Sequence, residues 1–380
     1  MTDAGDKVEV HRGLKDIYFD RSTATFIDGR AGELRYRGYS IHDLARYSTF
    51  EETSYLLLKG ALPTPAELEG FDAELKAARG LPQPIFDIIA AVRNAHPMEV
   101  LRTAVSALAA FDAEAADNSL AATLRKGMRL TSQVPVIVTS HHHIRNGREP
   151  VAPSPSLGHA ANFLYMLKGE EPSAAAAKLL DTDMVLHAEH GSNASSFTAR
   201  VVASTEANLH AAITAAVAAL SGRAHGGAAE NVMHMAREIG DAAKAAEYVA
   251  RKRKKREPVM GFGHRVYRSE DPRARHMRDG VERLSREMGQ PQWYEILQAV
   301  VGAMSRYARH GINVNVDFYA GVVYYLQGIP EDIFVPIFAV GRVPGWTLQV
   351  LEQIEHNILI RPRLSYTGPG PRAYVPIAER

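Results

Sequence analysis

The 380 residues include no cysteine, which excludes a disulfide, a thiolate metal site and a cysteine nucleophile. Charge of one sign is missing as well: 44 Lys and Arg face 43 Asp and Glu, a formal net charge of +1. That balance argues against a protein that holds nucleic acid on a basic surface. No uninterrupted apolar run approaches the roughly 20 residues a membrane helix needs. The opening MTDAGDKVEVHRG carries neither the basic nor the apolar region of a secretory signal. A soluble, cytoplasmic protein with no membrane partner is expected. Strand-forming sequence is scarce too. Only Tyr18 to Arg37 alternates β-prone pieces with turns, enough for a small hairpin or meander but not for a parallel sheet.

What is abundant is helical periodicity. It predicts an all-α, multihelical fold, with helices that include Ala174–Ala188, Ser195–Ser204, Leu209–Leu220, Glu230–Ile239, Pro272–Met288 and Phe318–Gln327. Pro330–Phe338 and Trp346–Asn357 read as two helices interrupted at Val343-Pro344-Gly345. A chain this long is expected to form about two domains. Alanine-rich helices give way near Gly222 to more charged sequence, so residues 222–327 read as a smaller domain inserted into a larger one formed by 1–221 and 328–380.

Three loops in the second region each place a proton-transfer residue at the start of a predicted helix: His225 in HGGA (225–228), His264 in GFGHRVYRSEDPR (261–273) and Asp317 in NVDFYAG (315–321). Two imidazoles and a carboxylate beside small residues suit acid–base chemistry on a carbonyl compound. Helix-start amides near His225 are expected to keep it neutral, as a hydrogen-bond donor. Asp317 reads equally as an ordinary helix N-cap. Asp271-Pro272-Arg273 resembles an N-cap, a first-turn proline and an arginine at the helix's positive end, a conflict that an anionic ligand would relieve.

Other features have plainer readings. Gly261-Phe262-Gly263 lacks the third glycine and the βαβ context of a dinucleotide site. His187 and His190 lie three apart on one predicted helical face, but HExxH is absent and no third ligand is evident, so no metal is expected. His141-His142-His143 reads as surface. The run Arg251 to Arg256 reads as a solvated helix end, or as attraction for a polyphosphate.

Together these motifs resemble the citrate synthase family, in its shorter, dimeric form. The three loops match its active-site signatures in order. GLKDIYFDRSTATFIDG (13–29), TFEETSYLLLKG (49–60), HAANFLYM (159–166), HAEHGSNASSFTAR (187–200) and RPRLSYTGP (361–369) extend the likeness over nearly the whole chain. Two positions depart from it: Ala229 stands where many relatives have asparagine, and Ile312-Asn313-Val314 where proline is common.

The resemblance implies a two-domain helical homodimer that condenses acetyl-CoA with oxaloacetate and hydrolyses the thioester, without metal or redox cofactor. Asp317 would be the base, His225 would stabilise the enolate and His264 would be the acid at the oxaloacetate carbonyl. His190, Arg273, Arg342 and Arg361 would hold oxaloacetate, Arg361 reaching across from the partner subunit. Coenzyme A would lie along Val259, Met260, Gly261 and Gly263, with phosphates near Arg256 or Arg268. The resemblance also implies insensitivity to NADH. It leaves 2-methylcitrate synthase, acting on propionyl-CoA, as the near alternative, and a non-catalytic CoA or polyanion binder as the distant one.

Overall fold

A computed structural model describes residues 9–14 and 17–380; MTDAGDKV and the Lys15-Asp16 pair of GLKDIYFD lie outside the described residues. The chain opens with a three-stranded antiparallel meander, β1 (Thr25–Asp28), β2 (Glu33–Tyr36) and β3 (Tyr39–Ser40), ordered β1-β2-β3. Thr25 pairs with Tyr36 and Arg35 with Ser40. Helices follow: α1 (Ile41–Tyr47), α2 (Phe50–Lys59), α3 (Pro65–Ala77), α4 (Gln83–Ala91), α5 (Pro97–Leu108), α6 (Leu120–Arg145), α7 (His159–Lys168) and α8 (Ala174–His187). Next come α9 (Ala194–Ser204), α10 (Leu209–Leu220), α11 (Ala228–Ile239), α12 (Ala245–Lys254), α13 (Ala274–Glu287), α14 (Gln292–Met304), α15 (Asp317–Leu326) and α16 (Phe334–Glu355).

Short polar side chains start many of these helices. Ser40, Thr49, Ser119, Ser173, Asn193 and Asn208 each accept a hydrogen bond from a first-turn N–H, and Thr64 with Glu67 forms a complete capping box. The cap satisfies amides that the helix itself leaves unpaired. Gly60, Gly169 and Gly240 close α2, α7 and α11 in the left-handed conformation.

The predicted break at Val343-Pro344-Gly345 does not occur. Pro344 lies inside α16, a single 22-residue helix. Packing overrides the local signal: α16 is the axis of the core, contacted by α2, α6, α8, α9 and α10. Gly345 allows the closest of these approaches, since a Cβ there would collide with the carbonyl of Ala188 just beyond α8. The segment Glu331–Glu355 is long and apolar enough to span a membrane, with mean hydropathy 1.3, but 94% of its apolar window is buried in the protein. It is a core helix.

Helices α11 to α15 pack mainly on one another, through α11 on α15, α13 on α15 and α12 on α14. They meet the remainder through α13 against α8 and α11 against α16. The histidine triplet is not at the surface as expected. His141 and His143 are buried, bonded to the carbonyls of Arg93 (2.9 Å) and Met166 (2.7 Å), while His142 is partly exposed. Carbonyls left over at helix ends give buried imidazoles partners that sequence spacing does not reveal.

Candidate active site

The loop after His264's glycines and the loop before Asp317 are some 50 residues apart in sequence, yet they are zipped together. Gly263 N–H donates to Asn313 O (2.8 Å), Asn315 N–H to Gly261 O (2.9 Å) and Asp271 N–H to Val314 O (3.0 Å). Side chains complete the seam: Asn313 Nδ2 donates to Arg268 O (2.8 Å) and Asn315 Nδ2 to Gly263 O (3.0 Å). Asn313, at one departure from the family pattern, is thus a structural tie. Gly261 has φ +75°, and a Cβ on it would come 2.5 Å from the Phe318 ring. Glycine is required there on both counts.

Asp317 is the first residue of α15, but it is not a cap. The N-cap position belongs to Val316 in helical conformation, and no side-chain cap bond is formed. None of the side-chain hydrogen bonds among the described residues involves the Asp317 carboxylate. Burial raises its pKa; His187 and Arg273 pull it down, while Asp271 and Asp183 push it up. A half-buried carboxylate held at a helix start without partners is free to accept a proton.

His264 has a defined tautomer. Its Nδ1 accepts from the N–H groups of Val266 (3.0 Å) and Tyr267 (3.1 Å), so the ring proton lies on Nε2. Burial, then Arg273, depress its pKa to about 4. The His264 and His190 rings meet edge-on with centroids 5.2 Å apart, and His190 Nε2 lies 3.1 Å from the Tyr267 hydroxyl. His190 is buried and held well below the usual histidine value by burial and Arg273. It lies beyond the end of α8, which stops at His187, so the two histidines do not share a helical face. His187 instead turns Nδ1 to the Asp183 carbonyl (2.9 Å), and among the described residues no three His, Asp or Glu side chains converge as a metal site.

His225 stands between α10 and α11. Its Nε2 receives the Ser195 N–H (3.3 Å) and lies 2.8 Å from the Ser195 hydroxyl, leaving Nδ1 to carry the proton. Its pKa is lowered to about 4 by burial and then by Arg342. Burial and Arg342 lead here, where the sequence pointed to helix-start amides on α11. The amide that touches the ring comes from the start of α9. Ser195 is in turn held by Trp346 Nε1 (3.0 Å) and Asn193 Oδ1 (2.8 Å).

The arginines differ. Arg273 is buried and paired with Asp271 through Nε (2.9 Å) and Nη2 (2.7 Å). It occupies the N-cap position of α13, which begins at Ala274, later than Pro272 as expected. Asp271 therefore supplies within the chain much of the compensating charge that the sequence assigned to a ligand. Arg342, buried on α16, donates Nε to the His187 carbonyl and stacks 4.6 Å from the Phe338 ring centroid. Its Nη1 is buried without a partner, and burial lowers its pKa to about 10. An unpartnered buried guanidinium nitrogen is a strong reason to expect an anion. Arg361 joins none of this; it lies in the exposed segment after α16, anchored where Ile360 N–H donates to Ser204 Oγ (3.1 Å).

Of the positions read as a coenzyme A track, Val259 is buried, Met260 partly so, and Gly263 (φ +91°) has open space around it. Arg256 (φ +57°) and Arg268 are exposed. Arg253, from the basic run, and Arg306, which sequence reading did not single out, both stack on Tyr307, at 4.7 and 5.1 Å, in the 3-10 segment Ser305–His310 that leads to Gly311 beside Arg268. Ser195, Tyr267 and Glu189 were also missed, because each meets a partner distant in sequence, and Asp271 was read as a helix cap where it pairs with Arg273.

Comparison with known proteins shows the family. The sequence model described as "Citrate synthase, C-terminal domain" matches residues 13–363. The citrate synthase of Haloferax volcanii is 44% identical over 98% of this chain and 99% of its own. The 2-methylcitrate synthase of Mycobacterium tuberculosis is 41% identical over 96% of this chain and 92% of its own. Among solved structures, citrate synthase from Pyrobaculum aerophilum superposes with TM-score 0.92 at 40% identity, covering 97% of this chain and 95% of that one. A ternary complex of the Thermoplasma acidophilum enzyme with carboxymethyl coenzyme A and oxaloacetate also gives TM-score 0.92, at 32% identity, covering 98% of this chain and 100% of that one.

Proposed function

Since the chain belongs to the citrate synthase family, we propose that it joins acetyl-CoA to oxaloacetate through Asp317, His225 and His264. Asp317 takes a proton from the thioester methyl group. A carboxylate is too weak a base for that step alone, so the developing enolate oxygen needs a donor at once, and His225 Nδ1–H supplies it. The enolate carbon attacks the ketone of oxaloacetate, whose oxygen receives the proton of His264 Nε2. Hydrolysis of the thioester then releases citrate and CoA. Every step is proton transfer or carbonyl addition, so no metal or redox cofactor enters the scheme.

His190, Arg273 and Arg342 hold the oxaloacetate carboxylates, with Arg361 contributed by the partner subunit of a homodimer. The exposed apolar residues of the C-terminal segment, Leu364 and Tyr366 among them, suit packing on a second copy. Coenzyme A runs along Val259 to Gly263, its phosphates toward Arg256 and Arg268. We read residues 222–327 as a small domain that closes on the large one (1–221 and 328–380) and excludes water. With bacterial and archaeal relatives, we place the protein in the cytoplasm.

The observation that carries the scheme is the partnerless Asp317 carboxylate, fixed to the His264 loop by the seam of hydrogen bonds. The 41% identity to a 2-methylcitrate synthase favours propionyl-CoA as the alternative donor. One methylene in an apolar pocket changes discrimination by only about 1–3 kcal/mol. CoA release from each thioester with oxaloacetate, followed with a thiol reagent, tests both. We expect kcat/KM higher for acetyl-CoA by roughly 10- to 200-fold. A preference for propionyl-CoA assigns the alternative, and no CoA release from either removes the scheme.

A further inference from the structure

Glu189 is fully buried beside this site, and no step above uses it. Its Oε1 accepts from Gln349 Nε2 (2.9 Å) and Thr25 Oγ1 (3.2 Å). Its Oε2 is buried with no partner. That oxygen faces α16 at Gly345, where a Cβ would stand 2.6 Å from it. Gly345 lies three residues beyond Arg342, whose buried Nη1 is likewise unpartnered. One helical turn therefore presents a bare guanidinium nitrogen beside the position where a bare carboxylate oxygen is packed. No ion pair joins the two. A half-satisfied buried carboxyl and a half-satisfied buried guanidinium are costly together, and native proteins keep such groups where a ligand completes them.

We propose that Glu189 is a positioning residue for the dicarboxylate substrate: ionised, it offsets the charge of Arg342 in the empty pocket, and it takes a proton from solvent when a substrate carboxylate engages that cation. The proposal rests on the reading that Arg342 holds oxaloacetate. Burial raises the Glu189 carboxyl to about 7, with Arg342 the largest opposing influence, followed by Gln349, the Gly191 N–H and Thr25. Once a ligand anion faces Arg342, that restraint weakens and protonation becomes easier.

The groups around Glu189 do not mimic this behaviour. Thr25 on β1 and Gln349 on α16 do not titrate, and Gln349 Oε1 is itself fixed by Arg200 on α9 (3.1 Å). Tyr36 on β2, whose hydroxyl receives the Glu189 N–H (3.3 Å), is raised to about 12. His190 is held neutral, and Arg273 charged, far from pH 7. Asp317 also has a raised pKa, so a variant at Glu189 is needed to separate the two.

The experiment is titration calorimetry of oxaloacetate into the full-length protein at pH 7.5, in phosphate and in Tris, whose ionisation enthalpies differ. The wild type should take up a substantial fraction of one proton per site. Its Kd should weaken with rising pH between 6.5 and 8.5, by up to about tenfold per unit. Glu189→Gln, which fixes the neutral state, should bind without proton uptake and with a level Kd over the same range. Proton-silent binding by the wild type, or unchanged uptake in Glu189→Gln, overturns the proposal while leaving the dicarboxylate reading intact. If Arg342→Ala binds oxaloacetate as tightly as the wild type, the underlying reading fails as well. The wild-type uptake is informative by itself should the variant not fold.

Discussion

Asp317→Asn should lower kcat for condensation by about 10³-fold, the scale of a lost general base, without lowering the melting temperature. The two readouts together separate the roles that the sequence left open. An N-cap aspartate replaced by asparagine keeps its cap, and replaced by alanine loses about 1 kcal/mol of stability. Here the carboxylate caps nothing. Burial raises its pKa above the ordinary aspartate range. An acid whose folded pKa is raised binds its proton more tightly in the folded state, so its ionised form opposes folding at neutral pH. Removing the charge therefore leaves stability unchanged or improves it, and Asp317→Ala should do the same. In the wild type, kcat should fall as pH drops through the raised Asp317 value, because the base becomes protonated. Near-wild-type turnover in Asp317→Asn would exclude the catalytic role; a clear loss of melting temperature in Asp317→Ala would restore the cap.

His225→Ala should cost about 10²- to 10³-fold in kcat, the usual effect of deleting one donor to a developing oxyanion. The imidazole is neutral, at a pKa of about 4, with Nε2 occupied by Ser195 and Nδ1 left to donate. Some stability is lost with the Ser195 contact, on the order of 1 kcal/mol, so folding alone does not discriminate. The separating readout is substrate-specific: KM for oxaloacetate should be nearly unchanged, since His225 serves the thioester half of the reaction. The double variant with Asp317→Asn should be little slower than Asp317→Asn alone, because base and oxyanion donor act on one step. Independent, additive losses would show that the two groups serve different events.

Much of this was legible in the sequence, and the gaps have a common cause. Leu209–Leu220 and the other strongly periodic helices stand where their patterns and caps put them, because local propensity and burial agree there. Pro344 misled because its meaning depends on α16 being surrounded by other helices. His141 and His143 misled because their carbonyl partners come from other segments. The proposed catalytic residues were visible: His225 and His264 through their glycine-rich settings, Asp317 through its place at a predicted helix start. What tunes them was not: Asp271 against Arg273, Ser195 behind His225, and the seam between 261–271 and 313–315 are products of folding. Glu189 stood in view between two histidines, yet only its burial and bare oxygen mark it.

The most direct measurement is a crystal structure of the closed protein with oxaloacetate and a non-hydrolysable acetyl-CoA analogue bound. We predict the Asp317 carboxylate and His225 Nδ1 within hydrogen-bond reach of the same two-carbon unit, with His264 Nε2 on the oxaloacetate ketone oxygen. Ligands bound with any one of these three side chains directed elsewhere would contradict the mechanism.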